Sequence, residues 1–321
     1  MDKPTVQDIF HRFYPAYLDQ YSPSPVQAKV AHNIMNCKTG AYGANVCVCE
    51  DCGFVQIHYN SCRNRCCPMC QAVPKEMWMD ARREDVLDAP YFHLVFTVPD
   101  ILNPVIYSNQ RLLYDALYHA ASSTISELTA DPKHLGAKVG YICILHTWGS
   151  EMNFHPHIHT ILLGGGLASN NQWKDNGENF FLPIRVISKM FRGKYLEELK
   201  RLWEEDKLVF HGTAEKFRSH YTFKELLDSC YGMDWIPHCK KTFNGAQTVI
   251  KYLGKYTHRI AVSNHRIVRM DDDTVTFLVK DYRNEGQWKE LTISGVEFVR
   301  RFLMHVPPRR FVRIRHYGLL C

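Results

Sequence analysis

Two short runs carry residue types that could do chemistry together. One is His155-Pro156-His157-Ile158-His159, and about ninety residues later comes Tyr252-Leu253-Gly254-Lys255-Tyr256. In a strand, side chains at i and i+2 point the same way. His157 and His159 therefore share a face, and His155 can join them. Two imidazoles on one strand face can chelate a divalent ion and leave positions open for substrate oxygens. A third ligand is needed. His146 ranks first, because a hairpin turning near Gly149-Ser150 brings it beside the pair. Gln247, Glu151 and His155 rank behind it. The bland alternatives are histidines that only hydrogen-bond, and a buried His146.

The tyrosines lie four apart, on one face of a helix spanning about residues 245–257. An aromatic stripe packed in a core is the plainer reading of such a pair. Its surroundings argue otherwise: Lys251 and Lys255 flank it, and Thr257-His258-Arg259 follows. A phenol has a reference pKa near 10 and stays neutral until a cation or base activates it. Attack on phosphorus would store the energy of the broken phosphodiester in a phosphotyrosine bond, so a strand could be rejoined without ATP. The metal would polarise the scissile phosphate, and Lys251, Lys255 or Arg259 would neutralise charge in the transition state. The expected activity is cutting and rejoining of single-stranded DNA, with Tyr252 and Tyr256 as nucleophiles and Lys255 assisting.

A second metal signal lies earlier. Eight of the twelve cysteines fall between Cys37 and Cys70. Cys49-Glu50-Asp51-Cys52-Gly53 and Cys67-Pro68-Met69-Cys70 are two C-x-x-C knuckles, and two knuckles complete a zinc tetrahedron. Cys62 and Cys66 are further candidates, as are Cys47 and His58. Each of these can equally be a structural side chain. Arg63 and Arg65 lie inside the cluster and are candidate nucleic-acid contacts, although a zinc ribbon can also be pure scaffold.

Composition narrows the class. The chain has 321 residues, 45% hydrophobic and 22% charged, with a formal net charge of +6. That suits a globular protein with a polyanion partner. No apolar run approaches the roughly 18 residues a membrane span needs, and the N-terminus lacks a signal-peptide layout, so a cytosolic, non-membrane protein is expected. Reduced thiols in that compartment favour metal over disulfides. Arginines concentrate between Arg300 and His316, including Arg309 and Arg310, with no acid among them. Phe302, Phe311 and Tyr317 interleave with them, a composition suited to phosphates and unstacked bases. The chain contains no phosphate-loop motif.

The elements that must position these groups follow from periodicity. Helices are expected at residues 5–36, broken at Ser22-Pro23-Ser24-Pro25, and at 74–88, 104–129, 186–206 and 214–230. Strands are expected at 91–98, 140–146 and 155–163, the last ended by Gly164-Gly165-Gly166. A small antiparallel meander is expected over 266–293. This mixture predicts an α+β core on an antiparallel sheet.

These motifs, in this order, resemble the rolling-circle insertion-sequence transposases with an HUH motif and two tyrosines, the IS ninety-one family. The resemblance covers nearly the whole chain. It rests on the Cys49 knuckle, on Tyr59-Asn60-Ser61-Cys62-Arg63-Asn64-Arg65 running into the Cys67 knuckle, on Leu145-His146-Thr147-Trp148-Gly149, on the histidine run, and on Tyr252 through Asn264. It implies a zinc-binding N-terminal region at 1–88 and an HUH catalytic domain of RRM-like fold at 89–265. A basic, β-rich segment follows at 266–321 and ends earlier than the family pattern leads one to expect. It also implies Mg or Mn at His157, His159 and His146, and zinc at the N-terminal cysteines. Single-stranded transposon ends are the implied partner, and a homo-oligomer is compatible with it. Cys66 stands where the family pattern has histidine. Three other readings are a plasmid or phage rolling-circle replication initiator, a non-catalytic zinc-ribbon module that binds single strands, and a simple metallohydrolase.

Overall fold

The computed structural model describes residues 3–83, 86–87, 89–175, 182–235, 237–243, 254, 260–281 and 286–321. Helices are Val6–Leu18 (α1), Pro25–Met35 (α2), Ala72–Ala81 (α3), Asn103–Ser108 (α4), Gln110–Ala130 (α5), Ile184–Glu204 (α6), His220–Gly232 (α7) and Gly295–Met304 (α8). Strands are Ala44–Val48 (β1), Val55–Tyr59 (β2), Tyr91–Thr97 (β3), Lys138–Trp148 (β4), Phe154–Leu167 (β5), Trp173–Asp175 (β6), His238–Phe243 (β7), Ile267–Met270 (β8), Thr274–Asp281 (β9), Gln287–Ser294 (β10) and Ile314–Gly318 (β11). The α+β architecture with an antiparallel sheet and flanking helices is as expected. Among the described residues, no helix is long and apolar enough to cross a membrane.

Where the sequence suggests three consecutive segments, the fold interleaves two compact units. The first comprises Met1–Met77, Trp148–Phe154 and His258–Arg309, and the second Trp78–Thr147, His155–Thr257 and Arg310–Cys321. The reason is a core shared by distant segments. In the first unit, α1 and α2 open with capping boxes, Thr5 with Asp8 and Ser24 with Gln27, each cap contributing about 1 kcal/mol. The helical period of α1 puts Val6, Ile9, Phe10, Phe13 and Tyr17 on one buried stripe. That stripe meets α8, where the Phe10 and Phe302 rings lie edge to face at 5.2 Å. The three-stranded meander β10-β9-β8 adds Val275, Phe277 and Val279, the inward face of β9.

The region from 266 onward is less β-rich than expected, because α8 interrupts it. Its start was legible: Ser294 caps the helix by accepting from the Glu297 N–H, a Ser-x-x-Glu signature before an apolar run. The arginines nearby are largely engaged. Glu297 pairs with both Arg300 and Arg301. In the second unit, Arg315 pairs with Asp115 and lies 4.0 Å from the Tyr118 ring centroid. Phe302 and Phe311 are buried, and Tyr317 stacks on Tyr141 at 5.1 Å. These aromatics therefore serve packing rather than an open base-stacking surface.

The second unit is built on a sheet ordered β11-β4-β5-β3-β7, with β6 beside β5. The β11–β4, β3–β5, β3–β7 and β5–β6 pairings are antiparallel. On one face, Phe96 packs against Phe191 of α6. Tyr118 of α5 accepts from the Leu145 N–H and donates to the Arg313 carbonyl, tying the helix to the sheet backbone. The other face carries a smaller cluster of Tyr91, Ile142, Ile144, Ile161 and Leu163. Strand β5 does not stop at Gly164-Gly165-Gly166 but runs through them. A Cβ there would press on Phe92 and Pro90, on Trp173, and on the Lys138 carbonyl in turn. The glycines let neighbouring chain close over the strand, which is a packing role rather than a turn.

Candidate metal centres

Strand alternation decides which groups meet on the sheet. His157 lies opposite Thr97, His159 opposite Val95, and Ile161 opposite His93. These positions share one face, so His93 is the diagonal neighbour of His159. On β4, alternation carries the same face from Ile142 and Ile144 to His146. The apolar cluster thus fills one end of this face and imidazoles fill the other.

His146, His157 and His159 each offer a ring nitrogen within 4.8 Å of the other two. All three are buried. His146 meets His159 edge on, with centroids 4.6 Å apart, and His157 at 5.6 Å. His157 Nδ1 donates to the His155 carbonyl at 2.7 Å. A carbonyl can only accept, so this bond puts the proton on Nδ1 and the lone pair on Nε2. That Nε2 lies 3.1 Å from His159 Nε2. Two nitrogens bound at about 2.1 Å to one ion, at right angles, are also about 3 Å apart. The imidazole set therefore fits a divalent cation.

His93 was not singled out from the sequence. Its Nε2 lies 2.9 Å from His159 Nδ1, and the two rings stack 5.1 Å apart at 15°. It orients His159 from behind, as the outer partner of a metal-binding histidine does. The only prior signal was a histidine inside the apolar strand pattern Tyr91-Phe92-His93-Leu94. His155, a ranked alternative ligand, is instead half-buried beside Asp100 at 3.4 Å. Tyr252, Tyr256, Lys251, Lys255, Arg259 and Gln247 lie outside the described residues.

The second centre lies in the first unit. Cys37, just beyond α2, meets Cys62, Cys67 and Cys70 with all four sulfurs within 4.8 Å. Cys70 Sγ is 3.5 Å from Cys37 Sγ and 3.6 Å from Cys62 Sγ. Sulfurs on a tetrahedral zinc at about 2.3 Å stand about 3.8 Å apart, so this set fits zinc. Burial pushes the Cys62 thiol up to about 12 and raises Cys67 further. Burial also opposes ionisation of Cys70, but hydrogen bonds from the Cys37, Cys62 and Cys67 thiols outweigh it and the net shift is downward. Four thiols packed this closely form an arrangement that a cation would complete.

This is a different quartet from the two-knuckle tetrahedron. Cys49 and Cys52 sit exposed beyond the β1 strand and do not join Cys67 and Cys70. Cys66 is buried but is not one of the four. Two-residue spacing predicts local knuckles, but β1 and β2 carry the first knuckle away from the second, and the end of α2 supplies Cys37 instead. The basic residues divide as well. Arg63, Arg309 and Arg310 are exposed, while Arg65 is half-buried and donates to the Pro308 carbonyl at 3.1 Å.

A family model described as "Putative transposase" matches residues 140–321, and one described as "Transposase zinc-binding domain" matches residues 9–98. The second span contains the four-cysteine cluster. A protein of Sinorhizobium fredii named putative transposase y4qJ is 41% identical over 99% of this chain and 80% of its own length. The transposase for insertion sequence element IS801 of Pseudomonas savastanoi pv. phaseolicola is 30% identical over 92% of this chain and 70% of its own. Among solved structures, the conjugative relaxase TrwC in complex with OriT DNA is similar in its metal-bound form. It is 13% identical with a TM-score of 0.28, over 52% of this chain and 73% of that one. With a zinc-binding domain and a transposase domain matched in order, and relatives 41% and 30% identical that align with nearly all of this chain, the chain belongs to the IS ninety-one family of insertion-sequence transposases.

Proposed function

We propose that this transposase nicks and rejoins single-stranded DNA at transposon ends through a 5′-phosphotyrosine intermediate, in a rolling-circle type of transposition. The observation that carries the reading is the convergence of His146, His157 and His159, with His157 Nε2 and His159 Nε2 3.1 Å apart. These three would hold Mg or Mn, which when bound supplies Lewis-acid polarisation of the scissile phosphate and of the leaving oxygen. His93 holds the His159 ring in place, and the His155 carbonyl fixes the His157 tautomer. The phenol oxygen of Tyr252 or Tyr256 attacks phosphorus and gives up its proton. The bond from phosphorus to the 3′ oxygen breaks, the 3′ oxygen takes up a proton, and the 5′ phosphate stays on the tyrosine. The 3′-hydroxyl of a second strand reverses the step and frees the phenol. Lys255, Lys251 and Arg259 would offset charge in the transition state. Two tyrosines allow two successive attacks, one holding the first 5′ end while the other cuts the second junction. Cys37, Cys62, Cys67 and Cys70 would hold a structural zinc, and Arg63, Arg309 and Arg310 present charge suited to DNA phosphates.

The test is incubation with an end-labelled single-stranded oligonucleotide carrying a transposon end and Mn²⁺, followed by a denaturing gel. A covalent protein–DNA adduct is expected, and it should vanish in Tyr252→Phe/Tyr256→Phe. No adduct from folded protein would sink the proposal. Adducts that survive the double substitution would remove the tyrosines from their role. Cleavage without attachment would point to water as nucleophile.

A further inference from the structure

The Cys49 knuckle has the spacing of half a zinc site. Cys49 N–H donates to the Phe54 carbonyl and Gly53 N–H to the Cys49 carbonyl, both at 2.9 Å. Gly53 takes φ +68 to close the turn. Backbone N–H groups of Cys52 and Asp51 and the Cys52 thiol hydrogen-bond the Cys49 sulfur, so both thiols of the C-x-x-C turn can reach one soft cation. A structural zinc takes four ligands, yet this turn supplies two.

Among the described residues, the side chains close enough together to share a metal ion are Cys37, Cys62, Cys67 and Cys70 in one group and His146, His157 and His159 in the other, so neither Cys47, His58 nor the acids of the hairpin complete the Cys49–Cys52 pair.

Among the described residues, nothing covers the hairpin. All ten residues of β1 and β2 are exposed. Register puts Val46 opposite Ile57, Val48 opposite Val55, and Ala44 opposite Tyr59 on one face. That face is wholly apolar, Phe54 at the tip is 65% exposed, and an isolated two-stranded hairpin is marginal in water. The missing half of the site is a pair of thiolates at knuckle spacing beside an apolar face. A second copy offers both through one two-fold axis. DNA offers no sulfur.

We propose that two copies of this chain share one zinc between their Cys49–Cys52 knuckles, with the hairpins forming the dimer contact.

Zinc content and mass, by elemental analysis and sedimentation velocity on the reduced full chain, test this. The wild type should be a dimer. Cys49→Ser/Cys52→Ser should be a monomer holding about half a zinc per chain less, since one zinc serves two chains. An unchanged far-UV spectrum and unchanged remaining zinc show that the variant is folded, and Cys47→Ser should match wild type. A wild-type monomer, whether its knuckle is empty or carries a full zinc per chain, overturns the proposal. A dimer that persists with the same zinc in the double variant does so too. The half-zinc difference does not depend on the Cys37 cluster, whose failure to bind would lower both proteins equally.

Discussion

Replacing His93 tests whether the histidine site is organised from behind. His93→Phe keeps an aromatic ring in the stack on His159 but removes the partner 2.9 Å from Nδ1. Both residues are buried, at 5% and 8% exposure, so solvent replaces that partner poorly. A buried hydrogen bond lost in this way costs about 1–3 kcal/mol. Outer partners of metal-binding histidines are worth roughly 10- to 100-fold in affinity, which is about 1.4–2.8 kcal/mol. The two ranges agree, so His93→Phe should weaken Mn²⁺ binding by one to two orders of magnitude. His93→Gln, whose amide can still reach a ring nitrogen, should recover part of the loss. Calorimetric titration of Mn²⁺ into the zinc-loaded protein reads this directly. Affinity of His93→Phe within a factor of two of wild type, with unchanged thermal unfolding, would refute the reasoning. His93 would then be packing alone.

Two stability predictions follow from the fold. His305 is buried, and burial, reinforced by Arg300 and only partly offset by its bond to the Met152 carbonyl, pushes its pKa down to about 4. The unfolded state, near the reference value of about 6.5, binds the proton first as pH falls. Stability from this residue is therefore full above about pH 6.5 and is lost on descent toward 4, with a loss of about 2 kcal/mol by pH 5. Urea unfolding at pH 8 and pH 5 should show wild type losing more than His305→Gln, and equal losses would contradict the assignment. In β5, Gly166→Ala would drive a Cβ into the Lys138 carbonyl. Backbone cannot swing aside, so a destabilisation of about 3 kcal/mol is expected, and a urea midpoint equal to wild type would exclude the close approach.

Much of the candidate chemistry was legible locally. A strand's two-residue period puts His157 and His159 on one face whatever the rest of the chain does, and a short connection to the preceding strand makes His146 their neighbour. The capping pairs at Thr5 and Ser24 announce helix starts within four residues, and Ser294 carries the same signature for α8, which the β-rich reading of 266–321 passes over. The C-x-x-C turn at Cys49 and its glycine are also self-contained. Each depends on backbone geometry and chirality over one turn or one hairpin, which is why the amino-acid order alone determines it.

Long-range partners were decided only by the tertiary structure. Cys37 displaces the Cys49 knuckle because the end of α2 is packed where Cys62, Cys67 and Cys70 converge, while β1 and β2 carry Cys49 and Cys52 outward. His93 reaches His159 only because β3 pairs with β5 in one particular register, and a slip of one residue would turn it to the other face. The arginines between 300 and 315 read as an unopposed basic run, yet Glu297 lies one helical turn away from two of them and Asp115 sits on a helix far back in the chain. Charge pairing and thiol clustering depend on distance in space, and only the packing of these helices and strands sets that distance.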